Sequence, residues 1–308
     1  MAITFNGIIF AASVLLTMVA AMLYATKTNR FDTRQLVLAA PWATVSGFVF
    51  ARVFYVAFNA AEYETFREKL DLLDGGYALY GAFFGVLLAL AAFCLLFLPL
   101  LDAISVGGVL GIAAGRWGNW INQECYGDVV TDARFFGFPF SVYIADYDSY
   151  CLALFWAESF FCLMIFALLL FTGRRYRGRD GAVSVHFFAF YSCIRIVLES
   201  MRGDSMFIGF VRISQVFAAA TLLLLFVVFS VRLIRRAGFR WWYIPLYALY
   251  AGGLTTAFLA EFYMGSETRV RNLLLLALAS VLMTAFTLFM YHRNAAARRG
   301  AKPAAGAA

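Results

Sequence analysis

Charge is what this 308-residue sequence has least of: Asp, Glu, Lys and Arg together make up 14% of it. Soluble domains carry about 25%, so a water-facing surface of ordinary polarity cannot be assembled from this chain. Histidine is almost missing, with only His186 and His292. The five cysteines, at 94, 125, 151, 162 and 193, form no CxxC pair. Zinc-like and haem-like His/Cys spacings are therefore lacking, and no metal site is expected. Cys125 and Cys151 can both face an oxidising compartment, which leaves a pairing between them open. No phosphate-cradling glycine loop, dinucleotide fingerprint or long alternating strand pattern occurs. Nucleotide-binding α/β folds and all-β folds are excluded on that ground, and no cofactor is expected.

The sequence is rich in what lipid accepts. Hydrophobic residues reach 63%, aromatics 18%, and mean hydropathy is +0.79. Apolar runs long enough to cross a bilayer recur near 4–25, 36–60, 77–99, 102–123, 150–172, 182–201, 212–234, 242–264 and 272–291. The fold class is all-α, a polytopic transmembrane helix bundle of about nine spans. The first run has no basic leading region and no convincing small-residue cleavage site, so it reads as a retained helix.

The formal net charge of +7 would point a soluble protein towards nucleic acid. Here the charges sit in the short connections, so no nucleic acid partner is expected. One set of connections holds Lys27, Arg30 and Arg34, then Arg174, Arg175, Arg177 and Arg179, then Arg232, Arg235, Arg236 and Arg240. The tail adds Arg293, Arg298, Arg299 and Lys302. The opposite set holds Arg67, Lys69, Arg134, Arg202, Arg212, Arg269 and Arg271. The excess of positive charge on the first set predicts an N-terminus outside and a cytoplasmic C-terminus, in a bacterial inner membrane. The polar stretch 124–149 then lies outside as a small cap, and the Ala/Arg/Gly-rich 295–308 is a disordered cytoplasmic tail.

Two polar constellations stand out against this apolar background. The run GRWGNWINQECYG at 115–127 puts Arg116, Asn119 and Gln123 on one helical face. An arginine at membrane depth is costly unless it pairs or faces water. A guanidinium there suits a phosphate held bidentately, or equally an ion pair with a neighbouring helix. The second constellation is Tyr191, Arg195, Glu199 and Arg202, spaced to fall along one helical stripe. One acid against two bases predicts a net positive patch fit for an anionic headgroup, unless Glu199 simply satisfies Arg195. Gly81 with Gly85, and Gly107 with Gly111 and Gly115, follow small-xxx-small spacing, which close helix packing explains. His186 is half a turn out of phase with Arg195 and is expected to pack rather than react.

Residues 115–127 closely resemble the signature of the prolipoprotein diacylglyceryl transferase family, roughly G-R-x-G-N-F-I-N-x-E-x-x-G. Gly115, Arg116, Gly118, Asn119, Ile121, Asn122, Glu124 and Gly127 match, with Trp120 at the aromatic place. Further similar segments follow the family order: ARVFYVAFN at 51–59, GAVSVHFFAFYSCIRIVLESMRGD at 181–204 and ISQ at 213–215. The resemblance covers about residues 1–236. It implies a seven-helix core with an outside N-terminus, followed here by an additional two-helix segment at 237–294. It also implies an activity in which the diacylglyceryl group of phosphatidylglycerol moves to the lipobox cysteine thiol of a prelipoprotein, and glycerol phosphate leaves. The implied partners are phosphatidylglycerol, the prelipoprotein signal peptide and membrane lipids.

By the same resemblance Arg116 and Arg195 fall on the positions of essential arginines. Asn119, Glu124, Tyr191, Glu199, Arg202, Arg52, Tyr55 and Gly127 fall on substrate-binding or orienting ones. The sequence departs from the family at three places. Tyr80 stands where the family carries the histidine of a Phe-His-Gly-Gly motif, which makes Tyr80 the stand-in catalytic candidate. The run leading into the fifth helix keeps only Glu158. Two helices are added at the C-terminus. These departures leave a rival reading open: a non-catalytic lipid-binding relative, or a lipid or solute transporter. No inverted repeat supports transport.

Overall fold

A computed structural model of the chain describes residues 5–60, 63–70, 76–92, 97–203, 205–208, 211–265 and 267–300. Its helices are α1 (Phe5–Thr28), α2 (Thr33–Phe58), α3 (Phe66–Leu70), α4 (Leu79–Ala91), α5 (Phe97–Asn122), α6 (Leu154–Arg175), α7 (Ala182–Ser200), α8 (Ile213–Ala237), α9 (Tyr243–Phe262) and α10 (Arg269–Gly300). Two small antiparallel ladders accompany them, β1 (Ser141–Ile144) with β2 (Ser149–Leu152), and β3 (Phe207–Ile208) with β4 (Val211–Arg212). The chain is thus an all-α polytopic bundle. Helices dominate because a segment in lipid must satisfy its own backbone hydrogen bonds. Eight of these helices are long and apolar enough to cross a membrane.

The structure adjusts four of the sequence boundaries. Among the described residues of the third apolar run, α4 is 13 residues long. At about 1.5 Å per residue it spans roughly 20 Å, short of a bilayer core of about 30 Å. Residues 97–99, expected in that run, instead open α5, which starts five residues ahead of the expected 102. The fifth run begins late because residues 149–152 are recruited as β2, whose register sets Ser149 opposite Ile144 and Leu152 opposite Ser141. At the other end α10 continues to Gly300, past the expected start of a disordered tail at 295, and 301–308 lie outside the described residues.

The helices belong to two compact units. The first comprises residues 1–122 and 162–184. Within it α1 packs along α5 and α2 along α4. Glycine is required at these crossings by close approach. A Cβ on Gly85 would collide with the Ser46 carbonyl, and one on Gly111 would collide with the Thr17 hydroxyl. Ser46 Oγ uses that proximity to donate to the Gly85 carbonyl at 2.8 Å. The glycine spacing read from the sequence is therefore a packing device. The same unit buries one carboxylate near its loops. Asp102 on α5 accepts from the Ser184 N–H (2.8 Å), the Ser184 hydroxyl (2.7 Å), the Gly181 N–H (2.9 Å) and the Arg30 guanidinium (3.3 Å). Arg30 also donates to the carbonyls of Tyr176 and Arg179, so one ion pair ties two basic connections to α5.

The second unit comprises residues 123–161 and 185–308. Here α10 packs against both α8 and α9. Phe226 of α8 stacks on Tyr250 of α9 with ring centroids 3.9 Å apart. The polar stretch 124–149 forms a cap around the β1–β2 hairpin, joined through Val130 N–H to the Tyr150 carbonyl and Leu152 N–H to the Asp128 carbonyl. Cys125 and Cys151 both lie buried in this cap and form no disulfide with each other. Burial raises the Cys151 thiol above its ordinary pKa.

The two glycines Gly108 and Gly111 differ sharply in the space beside them. A Cβ on Gly108 meets nothing within 4 Å. Gly108→Ala should therefore leave the detergent melting temperature unchanged or raise it slightly, whereas Gly111→Ala should cost about 1–3 kcal/mol through overpacking. Equal melting temperatures for the two variants would contradict the packing assignment.

Candidate active site

In the first unit, Arg116 and Asn119 occupy the last two turns of α5, three residues apart and so on one face. Both are half-buried. Trp117 and Trp120 alternate with them, exposed and edge to face at 6.3 Å, where amphipathic rings suit a lipid headgroup region. Gln123 does not share the Arg116 face as the spacing suggested. The helix ends at Asn122, and Gln123 takes a left-handed backbone with φ of +53°. Cys125 does the same at +54°. Such non-glycine outliers cost on the order of 1–3 kcal/mol each and cluster at functional sites. The signature thus encodes a helix and the sharp turn that leaves it.

Arg52 and Tyr55 serve the segment in front of α4. Arg52 is 3% exposed, and its terminal nitrogens donate to the carbonyls of Glu68 (2.9 Å) and Gly76 (3.4 Å). The Tyr55 ring lies where a Cβ on Gly76 would be, and Gly76 itself has φ of +71°. The Ala78 N–H donates to the Ala51 carbonyl at 3.0 Å. These contacts fix the chain four residues before Tyr80, which sits half-buried on the first turn of α4 with its ring 5.8 Å from Phe83. Arg52 and Tyr55 thereby organise the approach to Tyr80.

In the second unit, Tyr191, Arg195 and Glu199 stack on successive turns of α7, each at most 3% exposed. Arg195 is held at both terminal nitrogens, by Glu199 at 2.6 Å and by Glu158 of α6 at 2.9 Å. The Tyr191 hydroxyl donates to the other oxygen of Glu158 at 2.7 Å. Arg202, two residues beyond α7, reaches Glu199 at 3.4 Å. The patch is therefore not the net positive one counted from a single acid. Glu158 adds a second carboxylate, and two guanidiniums face two carboxylates. Such a set survives burial because each charge is paired and hydrogen-bonded.

Gly127 belongs to this second unit for a steric reason. Its N–H donates to the Leu152 carbonyl at 2.8 Å, it bridges to Arg202, and a Cβ there would press on the Met201 carbonyl and the Leu152 side chain. Gly203 N–H returns a bond to the Tyr126 carbonyl at 3.1 Å. The end of the signature is thereby knitted to the Arg202 segment. Glu124 is exposed at the start of the cap, and the Gln123 side chain accepts from the Ala145 N–H at 3.2 Å. His186 packs against Tyr291 and His292 of α10, at 5.6 and 5.4 Å between centroids, away from the arginine stripe as its phase required.

These features define a class: a multi-pass helical membrane protein that keeps a balanced arginine–carboxylate network inside one of its helical units. A family model described as prolipoprotein diacylglyceryl transferase matches residues 1–231. The chain belongs to the prolipoprotein diacylglyceryl transferase family. It is 34% identical over 199 residues to a protein of Thermotoga maritima, covering 62% of this chain and 68% of that one. It is 31% identical over 243 residues to a protein of Listeria welshimeri, covering 76% and 85%. A protein of Limosilactobacillus reuteri is 31% identical over 212 residues, covering 66% and 76%. All three are named phosphatidylglycerol–prolipoprotein diacylglyceryl transferase.

Glu158, a family residue that the sequence keeps, is the partner of Arg195 that spacing along α7 does not reveal. The signal was a lone acid in an otherwise apolar run, 37 residues before an arginine that needed a counter-charge. Removing it should expose that need. Glu158→Ala should destabilise the detergent-solubilised protein by about 3–5 kcal/mol, because it strips a partner from a buried cation. Thermal unfolding measures this, and a melting temperature within error of the parent would rule the pairing out as a structural element.

Proposed function

We propose that this chain transfers the diacylglyceryl group of phosphatidylglycerol to the thiol of a lipobox cysteine in a prelipoprotein. The observation that carries the reading is the family match over 1–231, which spans both the α5 signature and the α7 arginine helix. In the reaction a carbon–sulfur bond forms at the glyceryl carbon that bears the phosphate. The carbon–oxygen bond there breaks, and its electron pair leaves on glycerol phosphate. The thiol proton passes to a base.

The residues suit this chemistry. Arg116 and Arg195 are the proposed phosphate ligands and stabilise the charge that develops on the leaving group. A cation close to the thiol also lowers its pKa from about 8.5 and raises the reactive thiolate fraction. Arg195 comes to the phosphate already oriented, since Glu158 and Glu199 fix its plane. Tyr191 holds Glu158, and Arg202 shares Glu199. Asn119 and Glu124 contact the substrate or orient Arg116, and Gly127 shapes the turn that carries them. Arg52 and Tyr55 act through the segment that positions Tyr80. Tyr80 is the proposed base. A free tyrosine has a pKa near 10, so Tyr80 serves at neutral pH only if a cation depresses that value.

The charge distribution supports insertion in the bacterial inner membrane with the N-terminus outside and the C-terminus in the cytoplasm. Counting the whole apolar run 77–99 as a crossing beside the eight long helices gives nine, which agrees with that parity. The chain divides, in this reading, into a transferase-like domain at 1–236 and an added membrane segment at 237–294.

Two results decide the roles. In cells depleted of their own transferase, the chain should restore prelipoprotein lipidation. Arg116→Lys should lose most of that rescue, because an ammonium cannot hold phosphate bidentately. Full rescue by the lysine variant would demote Arg116 to a structural cation. Tyr80→Phe should abolish turnover if Tyr80 is the base, and Tyr80→His should retain or raise it. Normal turnover of the phenylalanine variant would exclude Tyr80 as the base. Phosphatidylglycerol binding with no lipidation by the parent protein would favour a lipid-binding relative that has lost turnover.

A further inference from the structure

The family match stops at residue 231, inside α8, yet helix α9 beyond it touches the arginine network. Glu261 lies one residue from the end of α9 and is 7% exposed at its side chain. Three donors from the family-matched part converge on it: the Arg212 guanidinium, the Ser200 hydroxyl at 2.7 Å and the Gln215 amide at 3.1 Å. Ser200 directly follows Glu199 on the last turn of α7. Gln215 also donates to the Ile196 carbonyl, next to Arg195, at 2.9 Å. Glu261 therefore grips the turn that carries Glu199.

Arg212 is 14% exposed and interacts electrostatically with both Glu199 and Arg202. Glu199 already serves Arg195 and Arg202. With Glu261 removed, Arg212 would be a third, partly buried cation drawing on that one carboxylate.

We propose that Glu261 is a positioning residue for the transfer reaction: as counter-ion of Arg212 it reserves Glu199 for Arg195 and Arg202. The inference rests on the transferase reading above. It gives the C-terminal helices a role, in that a segment outside the family core supplies a charge the core network needs.

The test uses full-length protein in lipid nanodiscs, with Glu261→Gln, Glu261→Asp and the double variant Arg212→Gln/Glu261→Gln. Affinity for headgroup-labelled phosphatidylglycerol, kcat and KM with a lipobox peptide, and melting temperature are measured for each. Glu261→Gln should lower phosphatidylglycerol affinity and kcat/KM about tenfold, a usual size for coupling through one contact. Glu261→Asp should keep most of both. The double variant should recover most of the loss, because the competing cation is gone. Parental values for Glu261→Gln, or a double variant as defective as the single one, would overturn the proposal and leave Glu261 a simple helix tie. Should Glu261→Gln fail to fold, recovery in the double variant decides alone. A parent that binds phosphatidylglycerol without transferring refutes the transferase reading, and the affinities of the three variants still judge Glu261. A parent that does neither refutes both.

Discussion

The arrangement of the second unit depends on one buried cation, Arg195, held between Glu158 and Glu199. Each of the three side chains is nearly sealed from solvent. A lone guanidinium there would carry a desolvation cost of several kcal/mol, and so would either carboxylate without it. Placed together, with a tyrosine hydroxyl on the other oxygen of Glu158, they fix the relation of α6 to α7 through geometry that lysine or glutamine could not reproduce. Buried networks of this kind contribute less to stability than their contact distances suggest. In the proposed reading their value lies in orientation, because an arginine plane locked before the ligand arrives needs no reorganisation when charge develops.

The same logic extends outward from Arg195 in layers. Glu199 is shared with Arg202, Arg202 is bridged to Gly127 of the signature turn, and the α7 terminus is gripped by Glu261. Arg269 at the head of α10 pairs with Asp128, the residue after Gly127. The two helices that lie past the family match thus bear on the cap and on the arginine helix rather than hanging beside the bundle as a separate module. In the first unit, Arg30 organises the loops in a comparable way, with one guanidinium shared between the carboxylates of Asp102 and Asp180.

Much of the fold was legible because lipid imposes a simple code. Long apolar runs had to be helices, and their number and order followed from hydropathy. The places where that reading slipped have physical causes. Residues 149–152, Ser-Tyr-Cys-Leu, carry no β-branched residue, yet they pair as a strand with Ser141–Ile144 across the hairpin. Helix α4 starts at Leu79 behind a segment tied down by Arg52 and Tyr55, a tertiary constraint that no window of hydropathy reports. The glycine pairs were readable as close crossings, since small residues at four-residue spacing have few other uses in a membrane helix.

The site was legible in its parts and less so in its balance. The stripe of Tyr191, Arg195 and Glu199 follows from helical periodicity alone. The neutrality of the network does not, because Glu158 arrives from another helix and Glu261 from beyond the resemblance. Gln123 was misplaced because a left-handed residue ended α5 where periodicity would have continued it. The central claim, that a pre-oriented Arg195 helps expel the lipid phosphate, is tested by mixing purified protein, phosphatidylglycerol labelled in its headgroup glycerol and a lipobox peptide. The account predicts one glycerol phosphate released for each thioether formed, with release lost in a folded Arg195→Lys variant. Release at parental rate from that variant would contradict it.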